Sequence, residues 1–436
     1  MAHPGLLVIP LLISLGLPGL HSERCQVNGD QKPLEIRLLQ LMIGSFNATA
    51  TPNPSILIAL RLAREHNRTI ERALAEKLKE DAVKRVNTGA DFSSGLVALY
   101  VMALQASCED PRHVSALNTT IDLVQLLEEK YHQELVNIDN HQQPLTNYYQ
   151  LGLDILALCL QNVIANVSVV LDTTCASLKY GHGKVFSVDT AAVVVLGLTC
   201  VKKTGTLTSE EIVAIKETLR SLVRKILRGK KSDGVIGNIY STGLAMQALF
   251  VSGYYYTPSQ WNCTQTLEAV LNAIPQGAFD NPPMAASQVT PSLGGRTYLE
   301  VKGLDCANDT DNLPIISPPT PPPVSNVSQI NVSLTVVDGV TNTFNYSIYL
   351  TMPEGCLFLD VLNKAQSLEP AKFSFTVKDT LYGPYLVSIN GLAAVNNEAY
   401  WQLKNGNIPL NQGIGSYKPA NGAKLVAIFT SLPSGG

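Results

Sequence analysis

The chain has 436 residues, 45% of them hydrophobic and 15% charged, with a formal net charge of -3. That length asks for one large domain and a small one, or for two or three of ordinary size. No basic field exists to attract nucleic acid, which excludes that class of partner.

The first predicted element is short. Leu6 to Leu15 is an apolar run followed by Gly16, Pro18 and Gly19. It reads as a secretory signal peptide over residues 1–22, cleaved near Ser22. A membrane anchor is the competing reading, but prolines interrupt a run already too short to span. No later stretch is long and apolar enough to cross a bilayer, and Ser434-Gly435-Gly436 offers no tail for a lipid anchor. No membrane insertion is expected.

From Cys25 to about Cys306 the pattern is helical. Apolar residues recur at i, i+3, i+4 and i+7 from Ile56 to Leu74 and from Ile212 to Ile226, with Arg, Lys and Glu between them. One design repeats: a polar turn runs into an Ala/Leu-rich helix. It occurs at residues 54–60, 94–104, 149–158, 189–198 and 237–249, and in degenerate form at 286–293. Successive copies fall about 40 to 55 residues apart, which is room for two helices and their loops. In the fifth copy, Gly237-Asn238-Ile239-Tyr240-Ser241-Thr242-Gly243-Leu244, both Ser241 and Thr242 are competent helix N-caps. Six helical hairpins with polar residues at equivalent ends predict a closed α/α toroid with its site at one polar mouth.

The period then changes. Leu313-Pro314-Ile315-Ile316-Ser317-Pro318-Pro319-Thr320-Pro321-Pro322-Pro323 reads as an extended polyproline linker. After it Val332, Leu334 and Val336 alternate, and Asp338-Gly339 signals a hairpin. Residues 361–365 suggest a short helix. Strand-like runs follow at 373–377, 385–389 and 425–429, separated by the turn signals Asn390-Gly391, Asn405-Gly406 and Asn421-Gly422. The expected division is a helical domain over 23–307, a Pro-rich linker over 308–328, and a small, mainly β, α+β domain over 329–436. A ligand held between two lobes is the natural use of that arrangement.

Nine N-x-S/T triplets, at Asn47, Asn67, Asn118, Asn166, Asn262, Asn308, Asn326, Asn331 and Asn345, accompany the signal peptide and predict a secreted, extracellular glycoprotein. Eight cysteines are scattered without CxxC pairs, so disulfides are favoured over zinc. Spacing alone does not choose their connectivity.

Three stretches now carry a resemblance: Pro52-Asn53-Pro54-Ser55-Ile56-Leu57-Ile58-Ala59, Val188-Asp189-Thr190-Ala191, and the run from Gly237 to Leu249. Gly383-Pro384-Tyr385, Tyr400-Trp401-Gln402-Leu403, and Pro409-Leu410 with Gly413 and Tyr417 extend it. The chain resembles the vertebrate cobalamin (vitamin B12) carrier family of transcobalamin, intrinsic factor and haptocorrin, across essentially the whole mature sequence. The resemblance implies an N-terminal α6/α6 barrel and a β domain with cobalamin between them. It also implies transport of the vitamin, delivery through a cell-surface uptake receptor, and neither catalysis nor a catalytic cofactor. A monomer carrying one ligand is the default. Cobalamin suits such a mouth physically: a corrin rimmed with neutral amides and bearing one phosphate calls for Asn, Gln, Thr, Tyr and backbone groups rather than a cationic pocket.

By the same resemblance Thr146, Tyr149, Asp189, Asn238 and Gln288 fall where the family contacts the corrin amides and the nucleotide side, and Tyr385, Trp401 and Tyr417 cover the upper face. Each has a structural alternative. Asp189 caps the helix opening at Thr190, Asn238 serves the turn at Gly237, Tyr149 is a half-buried aromatic, and the three β-domain aromatics are core residues. Gln288 is hard to place on an apolar helix without a partner. The family's disulfides map to Cys25–Cys263, Cys108–Cys306 and Cys159–Cys200. Cys175 and Cys356 either pair or stay as thiols, and Cys175 is a further candidate for cobalt.

Two departures stand out. Leu96 replaces the Gln that follows the family's Gly, which removes one ligand hydrogen bond at a cost of about 1 kcal/mol. Phe186 stands where the transcobalamin type has a cobalt-ligating histidine, so the chain is most like haptocorrin or intrinsic factor. His182 is the remaining candidate ligand, its alternative being an exposed loop histidine. Rival toroid functions lack their motifs: there is no DxDD, no Cys-Gly-Glu-Gln thioester, no HExxH and no GxSxG. A secreted glycosidase-like enzyme at the same mouth is the alternative, with Asp189 and Asp154 as its only carboxylates.

Overall fold

The computed structural model describes residues 24–46, 51–141, 143–163, 171, 186–205, 207–280, 283–314, 328–380, 383–395, 399–410 and 412–431. The expected signal peptide, the triplets at Asn47, Asn166 and Asn326, and Cys175 and His182 lie outside them.

Eleven α-helices are described before residue 300: α1 Lys32–Gly44, α2 Pro54–Leu62, α3 Arg68–Thr88, α4 Ser94–Ala106, α5 Leu123–His141, α6 Tyr148–Leu160, α7 Val188–Lys202, α8 Ser209–Arg228, α9 Ile239–Val251, α10 Cys263–Ala273 and α11 Pro283–Leu293. They are of two kinds. Helices α2, α4, α6, α7 and α9 are apolar nearly all round and bury almost every residue, as a helix enclosed on every side must. Helix α8 instead buries one stripe, Ile215, Leu219, Leu222, Val223 and Ile226, and turns its charges outward.

The enclosed helices form a ring. α2 packs on α4, α4 on α6, α6 on α7, α7 on α9, α9 on α11, and α11 back on α2. α1, α3, α5, α8 and α10 pack on the ring from outside. Contacts between neighbouring inner helices match start with start and end with end. Gly95 N–H donates to Gln150 Oε1 at 3.2 Å, Ser241 Oγ donates to Asp189 Oδ2 at 2.7 Å, and Arg61 Nε donates to the carbonyl of Ala106 at 3.0 Å. The inner helices therefore run parallel and gather their N-termini at one rim. Glycine sets the approach at Gly95, where a Cβ would sit 2.6 Å from Gln150 Cβ.

Three disulfides close within this part, Cys25–Cys263, Cys108–Cys306 and Cys159–Cys200, the pairing implied by the resemblance. The continuous helical period from Ile56 to Leu74 conceals a break. Ala63 is extended, and Asn67 opens α3 by accepting from Ile70 N–H at 3.0 Å. Asn67 is only 7% exposed, and its Nδ2 donates to the carbonyl of Leu313 at 2.8 Å. That nitrogen is buried in the fold, unlike the exposed side chains of Asn118 and Asn345. The start expected for the linker also shifts. His66 and Arg68 bind Asp311, Asn312 and Leu313, holding the chain to the helical part through Leu313.

Residues 328–431 build a second core. A five-stranded sheet has the order β4-β3-β10-β8-β9, from β3 Gln329–Asp338, β4 Asn345–Pro353, β8 Ala399–Asn405, β9 Ile408–Pro409 and β10 Lys424–Ser431. β3 runs parallel to β10 and the other pairs are antiparallel. β5 Phe375–Thr380, β6 Gly383–Ile389 and β7 Leu392–Ala393 form a second sheet. Helix α12 (Phe358–Leu368) lays Phe358, Val361, Leu362 and Ala365 on the core, and α13 (Pro370–Phe373) follows it. Phe373, expected in a strand, is the last residue of that short helix. The remaining short hairpin, β1 Val114–Ala116 with β2 Thr119–Ile121, belongs to the helical part and turns on Leu117 and Asn118, both at positive φ.

Candidate functional site

The rim of the ring is built from helix starts. Asn53, Asn147, Ser187 and Asn238 cap α2, α6, α7 and α9, each accepting from a backbone N–H of the first turn. Parallel N-termini aim partial positive charge at one opening, a field that suits carbonyl oxygens and a phosphate.

The densest part of the rim is the fifth repeat. Gly237 lies at φ +70, and a Cβ there would meet Val188 at 3.0 Å, so the turn needs glycine. The N-cap is Asn238, not Ser241 or Thr242: its Oδ1 accepts from Tyr240 N–H at 2.9 Å and Ser241 N–H at 2.8 Å. Thr242 instead bonds backward, accepting from Ile236 N–H and donating to the Asn238 carbonyl at 2.7 Å. Ser241 is used between helices, as the donor to Asp189. Asp189 accordingly does not cap α7, because Ser187 does so by accepting from Thr190 N–H at 3.2 Å. Burial raises the Asp189 carboxyl above the usual range, and the Ser241 hydroxyl offsets part of that.

A second polar group lies under the starts of α4 and α6. Glu134 accepts from Ser94 Oγ at 3.0 Å and from Thr146 N–H at 3.1 Å. Thr146 Oγ1 is buried and has no hydrogen-bond partner among the described residues. Beneath them Asp154 is fully buried, and the nearby Ser94 hydroxyl is given to Glu134 rather than to either of its oxygens. Burial drives its pKa well above the usual carboxylate range; the Ser94 hydroxyl offsets part of this and nearby Glu134 adds to it. Tyr149 is half-buried beside Tyr298, whose own hydroxyl is pushed up by burial and then by Tyr149. Tyr298 N–H donates to Gln247 Oε1 at 3.0 Å. Gln288, half-buried on α11, receives the Gln247 amide on its carbonyl at 3.5 Å. Leu96 is half-buried against the helical core, and Phe186 lies under the Lys225 ammonium at 5.7 Å from the ring centre.

Among the described residues, two side-chain contacts tie the strand-rich part to this rim. Gln412 Nε2 donates to Tyr240 Oη, and Lys378 Nζ pairs with Asp91, three residues before α4. Of the aromatics expected to cover a ligand, Tyr385 is 48% exposed on β6. Trp401 is 6% exposed, lies beside Phe344 and Phe429, and donates its Nε1–H to the Leu392 carbonyl at 3.2 Å. A ring so enclosed has no free face to lay on a ligand, so here it is a core residue. Tyr417 is intermediate, its hydroxyl accepting from Asn405 Nδ2 at 3.1 Å and its ring tilted on Phe358. The structure thus joins Asp189 and Asn238 through Ser241 and places Thr146 beside Glu134. Tyr240, Gln412, Lys378 and Asp91 were not expected. Tyr240 lies within the repeated motif, but nothing in the sequence pairs it with residue 412.

A family model described as eukaryotic cobalamin-binding protein matches residues 7–327, and one for a domain of unknown function matches 355–431. Human transcobalamin-1 is 39% identical over 431 residues, covering 96% of this chain and 96% of that one. Human cobalamin binding intrinsic factor is 36% identical over 414 residues, covering 93% and 94%. Human transcobalamin-2 is 31% identical, covering 95% and 97%. A crystal structure of haptocorrin in complex with Cbi matches with a TM-score of 0.79 and 36% identity, over 94% of this chain and 100% of that one.

Proposed function

The chain belongs to the eukaryotic cobalamin-binding protein family, and on that premise we propose that it is a secreted carrier which holds cobalamin between two domains. The closed ring of inner helices supports an α6/α6 barrel as the first domain, within residues 23–307. The second core supports a β domain over 329–436 that covers the ligand. The observation that carries this reading is the pair of bonds from the strand-rich part to the rim, Gln412 to Tyr240 and Lys378 to Asp91. They close the second domain over the end where the helix N-termini gather.

Roles follow from the geometry. Asp189, held in place by Ser241, and Asn238, whose Oδ1 fixes the α9 start, face amide groups of the corrin side chains. Thr146 offers a hydroxyl with no partner among the described residues, and Tyr149 and Gln288 add neutral donors and acceptors. Of the three aromatics expected to cover the ligand, Tyr385 is the exposed one. With Phe186 in the place of a histidine, no protein group from that position reaches cobalt. Binding needs no bond making, and the glycosidase alternative loses ground. Inversion requires two carboxyl groups facing a water molecule across the mouth, while Asp154 is sealed in the ring and leaves Asp189 without the second carboxylate. The product of the cycle is delivery, by a receptor that takes up the loaded monomer.

Titration of the secreted protein with aquocobalamin, followed by the corrin absorbance bands, tests the reading. Tight one-to-one saturation with the water-ligated spectrum retained is expected. No binding at micromolar protein would sink the carrier reading, and a shift to a nitrogen- or sulfur-ligated spectrum would overturn the role given to Phe186.

A further inference from the structure

The other end of the ring holds a polar cavity of about 300 Å³ that the rim chemistry does not use. Its wall includes Arg64, Arg296 and Asp305, together with Asn308 and Thr310, the first and third residues of an N-x-S/T triplet. The triplet is held rigidly. Its middle residue, Asp309, accepts from Arg61 Nη2 at 2.5 Å and lies 3.3 Å from His66 Nε2, and Cys306 just before it is bonded to Cys108. Asn308 itself is exposed, and its Nδ2 donates to Asp305 Oδ2 at 2.6 Å. One of the two Nδ2 hydrogens makes that bond, so the nitrogen still has a second to exchange for a sugar.

Arg296 is half-buried in the same wall and makes no side-chain hydrogen bond or ion pair among the described residues. Arg64 donates to the neutral Gln26 Oε1 at 2.7 Å. A guanidinium carries five donors, so both retain capacity toward the cavity. Asp305 and Asp309 in the wall disfavour an anion and supply acceptors instead. Donors and acceptors mixed around a volume at the small end of ligand pockets fit a neutral, hydroxyl-rich ring.

We infer that an N-linked glycan on Asn308 folds back into this cavity, its proximal N-acetylglucosamine accepting hydrogen bonds from Arg296 and Arg64. The linkage forms as Asn308 Nδ2 bonds to the sugar C1, the lipid diphosphate of the donor leaves, and the displaced proton passes to solvent. The sugar then becomes part of the base of the ring, where the chain is fastened before crossing to the second domain. Asn67, at the same end, is the contrasting case, with its nitrogen buried on Leu313. This inference rests on the secretory reading.

The test uses the full chain secreted from glycosylating cells and digested natively with peptide-N-glycosidase, release at each site being read by peptide mass spectrometry. The Asn308 glycan is expected to leave about tenfold more slowly than those on exposed Asn118 and Asn345, because cleavage waits for it to lift out. Arg296→Met should bring its rate up to theirs while cobalamin binding stays unchanged. Equal rates in the unaltered protein, no effect of Arg296→Met, or a bare Asn308 beside occupied triplets would each overturn the inference alone. A chain bare at every triplet would remove the secretory reading with it.

Discussion

The two ends of the helical ring use the same residue types for opposite purposes. At the base Arg61 donates to Glu71 at 2.6 Å, to Asp309 and to a backbone carbonyl, while His66 bonds Glu71 and Asp309, all of it nearly sealed from water. At the rim Asp189, Asn238, Thr146 and Gln288 are half-buried, and among the described residues only the first two have partners for their side chains. Spare hydrogen-bonding capacity, not polarity, separates the structural network around Arg61 from the rim. A saturated network resists change, whereas a half-satisfied one awaits a ligand.

The sharpest way to break this contrast is at the base. Arg61→Met leaves Glu71 and Asp309 without their cation and should cost about 3–5 kcal/mol in chemical denaturation. Cobalamin affinity of the molecules that remain folded should hardly move. If affinity fell as much as stability, the two ends would not be separable. At the rim the pattern should reverse. Asp189→Asn is expected to weaken cobalamin binding by about 1–3 kcal/mol, read from ligand dissociation rates, with a smaller change in melting temperature.

Asp154 sharpens the comparison from between the ends. Its carboxyl is raised in the folded chain, so its contribution is fully present below the ordinary aspartate value and is lost as pH rises toward the folded value. Stability should therefore fall on going from acid toward neutral pH, by at most about 1.4 kcal/mol per pH unit for this one proton. Asp154→Asn should flatten that slope; an unchanged slope would assign it to other groups. The smallest effect expected is at the seam. Tyr240→Phe removes the Gln412 bond and should speed cobalamin release by a factor corresponding to about 0.5–1.5 kcal/mol. Release at the unaltered rate would mean the seam is held elsewhere.

Much of this was legible in the sequence because it is local. The repeated polar-turn-to-helix pattern marked all six ring helices, and Asn390-Gly391 and Asn421-Gly422 do turn, with positive φ at Asn390, Gly391 and Gly422. What escaped is either degenerate or distant. Three cap-competent side chains within five residues, Asn238, Ser241 and Thr242, gave no local reason to choose the first. The break between α2 and α3 preserves an apolar period that reads as one helix. The parallel pairing of β3 with β10 and the bond between Tyr240 and Gln412 join residues far apart in the chain, and no period reports on that. Trp401 shows the limit from another side: alternation places it on a face, but only the packed sheet shows that this face is the inner one.

Ring closure also has a consequence in time. Helix α2 gains its second ring neighbour only when α11 has been made, and the Cys25–Cys263 bridge spans 238 residues. At the usual elongation speed of roughly 5–20 residues per second, the interval is on the order of ten to fifty seconds. Throughout it the apolar flank of α2 that will meet α11, and the thiol of Cys25, wait without their partners. Biogenesis of this chain therefore includes a waiting period in which that flank and that thiol are open to wrong partners.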